Sequence, residues 1–227
     1  MCGIAGIISI NPHHVSPERL KAMTDSIAHR GPDGEGFWFN ENKTVGFGHR
    51  RLAIIDLSET GKQPMHFPFL TGEVRFGLTE RGPRERARYS ITYNGEIYNY
   101  LELKEELKQK GYTFFTHSDT EVILAAYDHW KDECLQQFDG MFAFAIWDEQ
   151  EQTLFTARDR FGEKPFYYFF DGEQFLFASE MKALWAAGVQ KTINNTMLLN
   201  YLGLGWVKNP ADLSQTFYEN ISSLPQS

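Results

Sequence analysis

Four strand-like runs follow one another between residues 141 and 178: Met141 to Trp147, Thr153 to Ala157, Phe166 to Phe170 and Gln174 to Ala178. The last two are joined by Asp171-Gly172, a pair that readily adopts the positive φ of a tight hairpin turn. Two helical patterns precede them. Tyr100, Leu103 and Leu107 share one helical face before Gly111, and Ser118-Asp119-Thr120-Glu121 has the form of a capping box ahead of Ile123, Ala126, Tyr127 and Trp130. Earlier still the chain reads as strands. Ile4 to Ile10 is an apolar, β-branched run ended by Asn11-Pro12, and Phe37 to Phe39 pairs with Val45 to Gly48. Tyr89, Ile91 and Tyr93 alternate with Ser90, Thr92 and Asn94, which predicts a half-buried strand ending at Asn94-Gly95. Ser16-Pro17 caps a helix carrying Leu20, Met23 and Ile27, which runs into the stop Arg30-Gly31-Pro32-Asp33-Gly34. Met181 to Ala187 reads as a short helix stopped by Gly188. Strands, then grouped helices, then strands suggest an α+β layered domain with two packed sheets covered by helices.

A chain of 227 residues with 42% hydrophobic content is long enough to bury one large core. Its net charge of −8 argues against nucleic acid and anionic membranes, which call for a basic surface, and points to small molecules or proteins as partners. The longest apolar run, Met141 to Trp147, is far short of the roughly 20 residues that span a bilayer. The apolar N-terminus has no basic segment before it and is read as a strand, not a signal. Two cysteines, Cys2 and Cys134, make no disulfide framework, and no Cys/His spacing suggests a metal site, so a reducing cytoplasm is expected. The signals weaken beyond Asn194, and residues 222–227 read as the start of a linker or an exposed tail.

The chemistry concentrates at the N-terminus. If the initiator Met is removed, Cys2 carries both a thiol and a free α-amine, whose reference pKa of about 7.7–8.0 suits a base near neutrality. Taken alone, a small cysteine in an apolar run usually means packing. The decision comes from segments that occur in order along the chain: Cys2-Gly3-Ile4-Ala5-Gly6, His29-Arg30-Gly31-Pro32-Asp33, His49-Arg50-Arg51-Leu52-Ala53-Ile54-Ile55-Asp56, Gln63-Pro64, Tyr93-Asn94-Gly95-Glu96-Ile97-Tyr98-Asn99, Ser118-Asp119-Thr120-Glu121, Gly140-Met141-Phe142-Ala143-Phe144-Ala145, Arg158-Asp159-Arg160-Phe161-Gly162 and Ala178-Ser179-Glu180-Met181-Lys182. Over about the first 190 residues they closely resemble the N-terminal glutaminase domain of glutamine-dependent asparagine synthetases, a class II glutamine amidotransferase.

That resemblance implies the four-layer αββα sandwich of the N-terminal nucleophile hydrolase type. It also implies hydrolysis of L-glutamine to glutamate and ammonia through a thioester on Cys2. Arg51 matches the residue that holds the glutamine α-carboxylate, with the neighbouring Arg50 the weaker candidate. Asp119 matches the carboxylate for the α-ammonium, although a carboxylate in the first turn of a helix is favoured by the dipole in any case. Asn94 and Gly95 match the oxyanion hole, although Asn-Gly alone reads as a turn. Leu52, Ile54 and Ile55 match the lining of the glutamine pocket, and Glu96 adds a polar wall. Cys134 reads as packing, as does the aromatic stretch Phe161 to Phe177.

Two departures accompany the match. Residues 67–88 form a longer connection than the family's, with Arg81, Arg84, Arg86 and Arg88 clustered in it, read either as a solvated loop or as a contact surface. The Ser-Gly-Gly-x-Asp-Ser loop of the family's synthetase domain does not occur in the 227 residues. The expected organisation is therefore an amidotransferase domain at 2–190 and an extension at 191–227 leading toward a synthetase domain. No cofactor is expected in the first; ATP and Mg belong to the second. A homodimer stays open. The resemblance leads to ammonia supply for asparagine synthesis. A non-catalytic amino-acid-binding or docking module, an acceptor other than aspartate, and kinship with the sugar-phosphate or phosphoribosyl amidotransferases are the alternatives.

Overall fold

Two antiparallel sheets lie face to face, and each carries helices on its outer side. The structure, a computed structural model, describes residues 1–53, 59–67 and 87–226. The first sheet contains β1 (Gly3–Ser9), β2 (Gly34–Phe39), β3 (Val45–Arg51), β8 (Tyr167–Phe170), β9 (Gln174–Ala178) and β10 (Ser222–Ser223), in the order β10-β8-β9-β1-β3-β2. The second contains β4 (Met65–Phe67), β5 (Tyr89–Ile97), β6 (Gly140–Asp148) and β7 (Thr153–Arg158), in chain order. The helices are α1 (Pro17–Ser26), α2 (Tyr100–Gln109), α3 (Asp119–Trp130), α4 (Met181–Ala186) and α5 (Asn195–Leu204).

Strand alternation divides the apolar residues among three interfaces. Between the sheets, Ile4, Val45, Phe47, Phe166 and Phe177 meet the small Ala143 and Ala145, with Trp147 beside them. On the outer face of the first sheet, Ala5, Ile7, Leu176 and Ala178 pack on Leu20, Met23 and Leu184 of α1 and α4. On the outer face of the second, Ile91, Phe142, Phe144 and Ile146 pack on residues of α2 and α3, among them Leu103, Leu107 and Ile123. This is the four-layer αββα sandwich expected from the motifs.

Several local expectations need correcting. β5 is buried on both faces along most of its length and runs through Asn94-Gly95 to Ile97, so it is neither half-buried nor ended there. Its polar alternates face the other sheet; Thr92 Oγ1 donates to the Gly48 carbonyl at 3.2 Å. Ser118 caps α3 by accepting from the Thr120 N–H. Glu121, however, does not close a reciprocal capping box, because its carboxylate takes the N–H groups of Phe115 and Thr116 instead. Phe161 and Phe170 are exposed, so the aromatic stretch is not core throughout. Where the signals weaken beyond 194 the chain forms α5, and residues 222–224 are not a free tail: β10 pairs antiparallel with β8 while Leu224 N–H bonds the Phe166 carbonyl. Backbone pairing of this kind leaves no hydrophobic signature in the sequence. Of the 67–88 connection, residues 68–86 lie outside the described residues; Arg88 pairs with the buried Asp148 at 3.0 Å.

Phe47 is fully buried between the sheets, with its ring 5.6 Å from Phe177 in an edge contact. Phe47→Ala is expected to cost about 3–5 kcal/mol in denaturant unfolding. A loss of under ~1 kcal/mol would show that the sheets are not packed through this ring.

Candidate active site

Cys2 precedes β1, an inner strand, so its side chain emerges where the sheet is flanked on both sides. Gly3 stands opposite Arg50 on β3, which brings the residues after β3 alongside Cys2. The Leu52 N–H donates to Cys2 Sγ at 3.3 Å, and the thiol lies 3.5 Å from the Leu52 carbonyl. Arg30 Nε donates to the Cys2 carbonyl at 2.9 Å, and its guanidinium is held by Glu180 at 3.1 Å.

The Arg-Gly-Pro-Asp segment explains how Leu52 is held in place. Gly31 lies against the backbone of Arg50 and Arg51 so closely that an added Cβ would overlap it. Asp33 then grips the same stretch from two sides: its N–H donates to the Arg51 carbonyl at 3.0 Å, and its carboxylate accepts the Ala53 N–H at 2.9 Å. Arg30 and Asp33 thus position the thiol's surroundings. The sequence showed them only as members of a matched segment, because a role played through backbone contacts has no residue pattern of its own.

Cys2, Arg51, Leu52, Asn94, Gly95, Glu96 and Asp119 line one cavity of about 130 Å³. Ile54 and Ile55 lie outside the described residues. Adjacent residues of a strand point to opposite faces, and this separates the two arginines. Arg50 turns away to the Thr24 carbonyl, to Asp25 and to Glu35, the last at 2.9 Å. Arg51 turns to the cavity.

Asn94 and Gly95 sit within β5, opposite Ala143 and Phe142 of β6. Asn94 is only 1% exposed, and among the described residues its Nδ2 has no hydrogen-bond partner. A buried donor left unpaired costs about 1–3 kcal/mol, which a bound anionic oxygen would relieve. Gly95 has no room for a side chain: a Cβ would meet the Met141 carbonyl oxygen and Phe142 Cα. Close backbone approach, not turn formation, is what requires glycine here.

Asp119 opens α3 and is 4% exposed. Its Oδ2 accepts from the Tyr93 hydroxyl at 2.6 Å and from the Ile97 N–H at 3.1 Å. Burial raises the Asp119 pKa, and these hydrogen bonds oppose the rise. A cation in the cavity would favour its charged form further. Gln63 joins the two elements, accepting from the Tyr93 N–H at 2.7 Å and donating to Thr120 Oγ1 at 3.3 Å. The motif match contained Gln63 without giving it a role.

The thiol itself is held above its ordinary pKa, chiefly by burial; the Leu52 N–H, the chain's terminal charge and Arg51 pull it down, and Asp119 pushes it up. It therefore needs a base to become a nucleophile at neutral pH. His49 also lines the cavity. Its Nε2 lies 3.1 Å from the Tyr93 carbonyl, which can only accept, so Nε2 carries the proton. Burial lowers the pKa of this ring to about 4. Cys134 is buried, and its thiol is pushed up to about 12 by that burial, which fits its reading as packing. Among the described residues, no group of three or more His, Cys, Asp or Glu could hold a metal ion.

A family model described as a glutamine amidotransferase domain matches residues 1–227. The glutamine-hydrolyzing asparagine synthetase 1 of Bacillus subtilis is 43% identical over 216 residues, covering 94% of this chain and 31% of that protein. A second relative, named a putative glutamine-hydrolyzing asparagine synthetase 2, from Methanocaldococcus jannaschii, is 42% identical over 224 residues, covering 96% of this chain and 42% of that protein. The chain thus spans well under half the length of these relatives. Among solved structures, the glutamine phosphoribosylpyrophosphate amidotransferase of B. subtilis gives a TM-score of 0.59 at 22% identity, covering 82% of this chain and 44% of the other. The allosteric regulatory enzyme of purine biosynthesis gives 0.62 at 23%, with 82% and 43% covered. These two show the shared fold, the αββα sandwich of the N-terminal nucleophile hydrolase type.

The His49 ring titrates near 4 in the native state against 6.5 unperturbed. Between those values the unfolded chain takes up a proton that the native state refuses, so stability present above pH 6.5 is lost as the pH falls. From this residue alone the loss should reach about 2 kcal/mol by pH 5. Denaturant unfolding at pH 7 and pH 5 measures it, and His49→Gln should show that much less pH dependence. Equal slopes for the two proteins would mean that His49 titrates normally.

Proposed function

We propose, from the premise that the chain belongs to the glutamine amidotransferase domain family, that it hydrolyses the side-chain amide of L-glutamine through a thioester on Cys2. The observation that carries this reading is the convergence on one cavity of the Cys2 thiol, the unpartnered Asn94 amide and two opposite charges, Arg51 and Asp119. Arg51 offers a planar donor fork to the substrate α-carboxylate. Asp119, fixed by Tyr93 and Ile97, faces the α-ammonium. Together they deliver the side-chain amide to the thiol.

The thiol proton passes to the α-amine of Cys2, freed by removal of Met1, and Sγ attacks the amide carbon. The oxygen gains negative charge and is met by Asn94 Nδ2 and the Gly95 N–H. On collapse the amine returns its proton to the leaving nitrogen, ammonia departs, and a γ-glutamyl thioester remains. Water, activated by the same amine, attacks the thioester carbon, and glutamate leaves as the thiol is restored.

The destination of the ammonia belongs to the same proposal. The relatives named as asparagine synthetases are two to three times longer than this chain. Leu199 and Leu202 of α5, with Leu204, Trp206 and Val207 beyond them, are all exposed. An apolar surface of that kind suits a covering domain. We take 2–190 as the amidotransferase unit and 191–227 as the extension that leads to a synthetase domain using ATP and Mg. Asparagine is the product favoured by kinship. Among the described residues, no helix is long and apolar enough to cross a membrane, and a cytoplasmic site of action fits this reading.

Cys2→Ala should abolish glutaminase turnover while leaving glutamine binding measurable by calorimetry. Arg51→Ala and Asp119→Ala should raise KM by about 10–100-fold, the loss of one charge-assisted contact. Asn94→Ala should instead lower kcat about 10²–10³-fold, since an oxyanion donor acts in the transition state. The reverse partition would reassign these roles.

Turnover should also scale with the fraction of molecules that begin at Cys2, read by intact mass. In the Met-initiated chain the Cys2 nitrogen is an amide and cannot take a proton. Full activity from a wholly Met-initiated sample would remove the amine from the mechanism and favour a histidine such as His49.

A further inference from the structure

Lys164 shares the cavity wall with Cys2, yet the chemistry above gives it no task. Its backbone is fixed on both sides. Asp159, almost fully buried, gathers the N–H groups of Phe142, Phe161, Glu163 and Lys164 on its carboxylate, and Arg158 Nε donates to the Lys164 carbonyl at 2.6 Å. Lys164 is 5% exposed, and its Nζ donates to the Met1 sulfur at 3.4 Å. A thioether is a weak acceptor. Among the described residues the Lys164 ammonium has no other side-chain partner. A buried cation without a counter-charge is unfavourable, and such groups concentrate where a function needs them.

Five covalent bonds separate the Met1 sulfur from the Cys2 nitrogen, so Nζ lies within roughly 10 Å of that nitrogen even at full extension. When Met1 is removed, the thioether goes with it and the nitrogen becomes an amine. We propose that Lys164 is a positioning residue that acts through this α-amine, its fixed positive charge keeping the amine in the neutral, basic form that accepts the thiol proton. The inference rests on the N-terminal cysteine mechanism proposed above.

Other charged groups also face Cys2. Arg30 bonds the Cys2 carbonyl and is matched by Glu180. Arg51, at the end of β3, is assigned to the substrate carboxylate. Asp119 from α3 is held by Tyr93 and Ile97. Glu96 from β5 lines the wall, His49 is neutral, and the Cys2 thiol gives its proton to the amine in question. Arg30 and Arg51 also act on Cys2 through their charge, and Lys164 adds a cation that has no other side-chain partner among the described residues. A like charge several ångströms away in a partly buried site lowers an amine pKa by about one unit.

The test uses protein shown by intact mass to begin at Cys2, labelled with ¹³C-cysteine, in wild-type, Lys164→Met and Lys164→Arg forms. An NMR titration of the Cys2 carbons reads the amine pKa directly, and the pH profile of glutaminase kcat/KM reads it through its acid limb. The wild type and Lys164→Arg should titrate about one unit below Lys164→Met. The acid limb should move up by the same amount in Lys164→Met, with KM for glutamine changed less than about twofold. Should Lys164→Met fail to fold by circular dichroism, Lys164→Gln carries the same expectation. Equal amine pKa values in the wild type and the neutral variant would overturn the proposal. A wild type that shows the lowered amine pKa but no turnover of glutamine would retain the role of Lys164 and defeat the glutaminase reading instead.

Discussion

The hydrogen bond from the Leu52 amide to the Cys2 sulfur is the contact on which the rest of the site depends. It joins Cys2 to the segment after β3, and the two are brought together by a strand pairing whose register sets Gly3 against Arg50. Chain termini fray unless tied down. Here the tie is threefold: β1 is bonded on both edges, Arg30 grips the Cys2 carbonyl, and Asp33 fixes Arg51 to Ala53 from behind. Cys2 gains the precision of an inner strand by this means, and the αββα frame supplies the strand.

Charge is distributed in the cavity with the same economy. Asp119 is buried, which raises its pKa, and hydrogen bonds from Tyr93 and Ile97 oppose the rise. Among the described residues, the Asn94 Nδ2 donor has no acceptor. The thiol's pKa is raised by burial, so its activation is delegated to a base and not to the resting environment. On the function proposed above, glutamine or its transition state would satisfy each of these groups. That is the logic of preorganised electrostatic catalysis.

The sequence made some of this legible and hid the rest, for identifiable reasons. Ser16-Pro17, Gly111, Asp171-Gly172 and Gly188 are local signals, and the elements they bound stand close to where they were expected. Asn94-Gly95 misled, because the same dipeptide that favours a turn also serves a strand whose neighbour approaches too closely for a Cβ. The adjacent Arg50 and Arg51 could not be separated by type; only strand alternation assigns one to Asp25 and Glu35 and the other to the cavity. Asp33, Gln63 and Lys164 work through backbone contacts or long-range proximity, for which a linear pattern has no marker. β10 joins its sheet by main-chain pairing, supported by Arg158 on Ser223 Oγ, and two serines carry no strand signal of their own.

The central claim is that Cys2 bears the covalent intermediate. Protein beginning at Cys2, mixed with glutamine and quenched in acid within the first turnovers, should yield an N-terminal peptide carrying one γ-glutamyl group as an acid-stable, hydroxylamine-labile thioester on Cys2, seen by mass spectrometry. Turnover with an unmodified Cys2 peptide at every quench time, or with the glutamyl group on another residue, would contradict it.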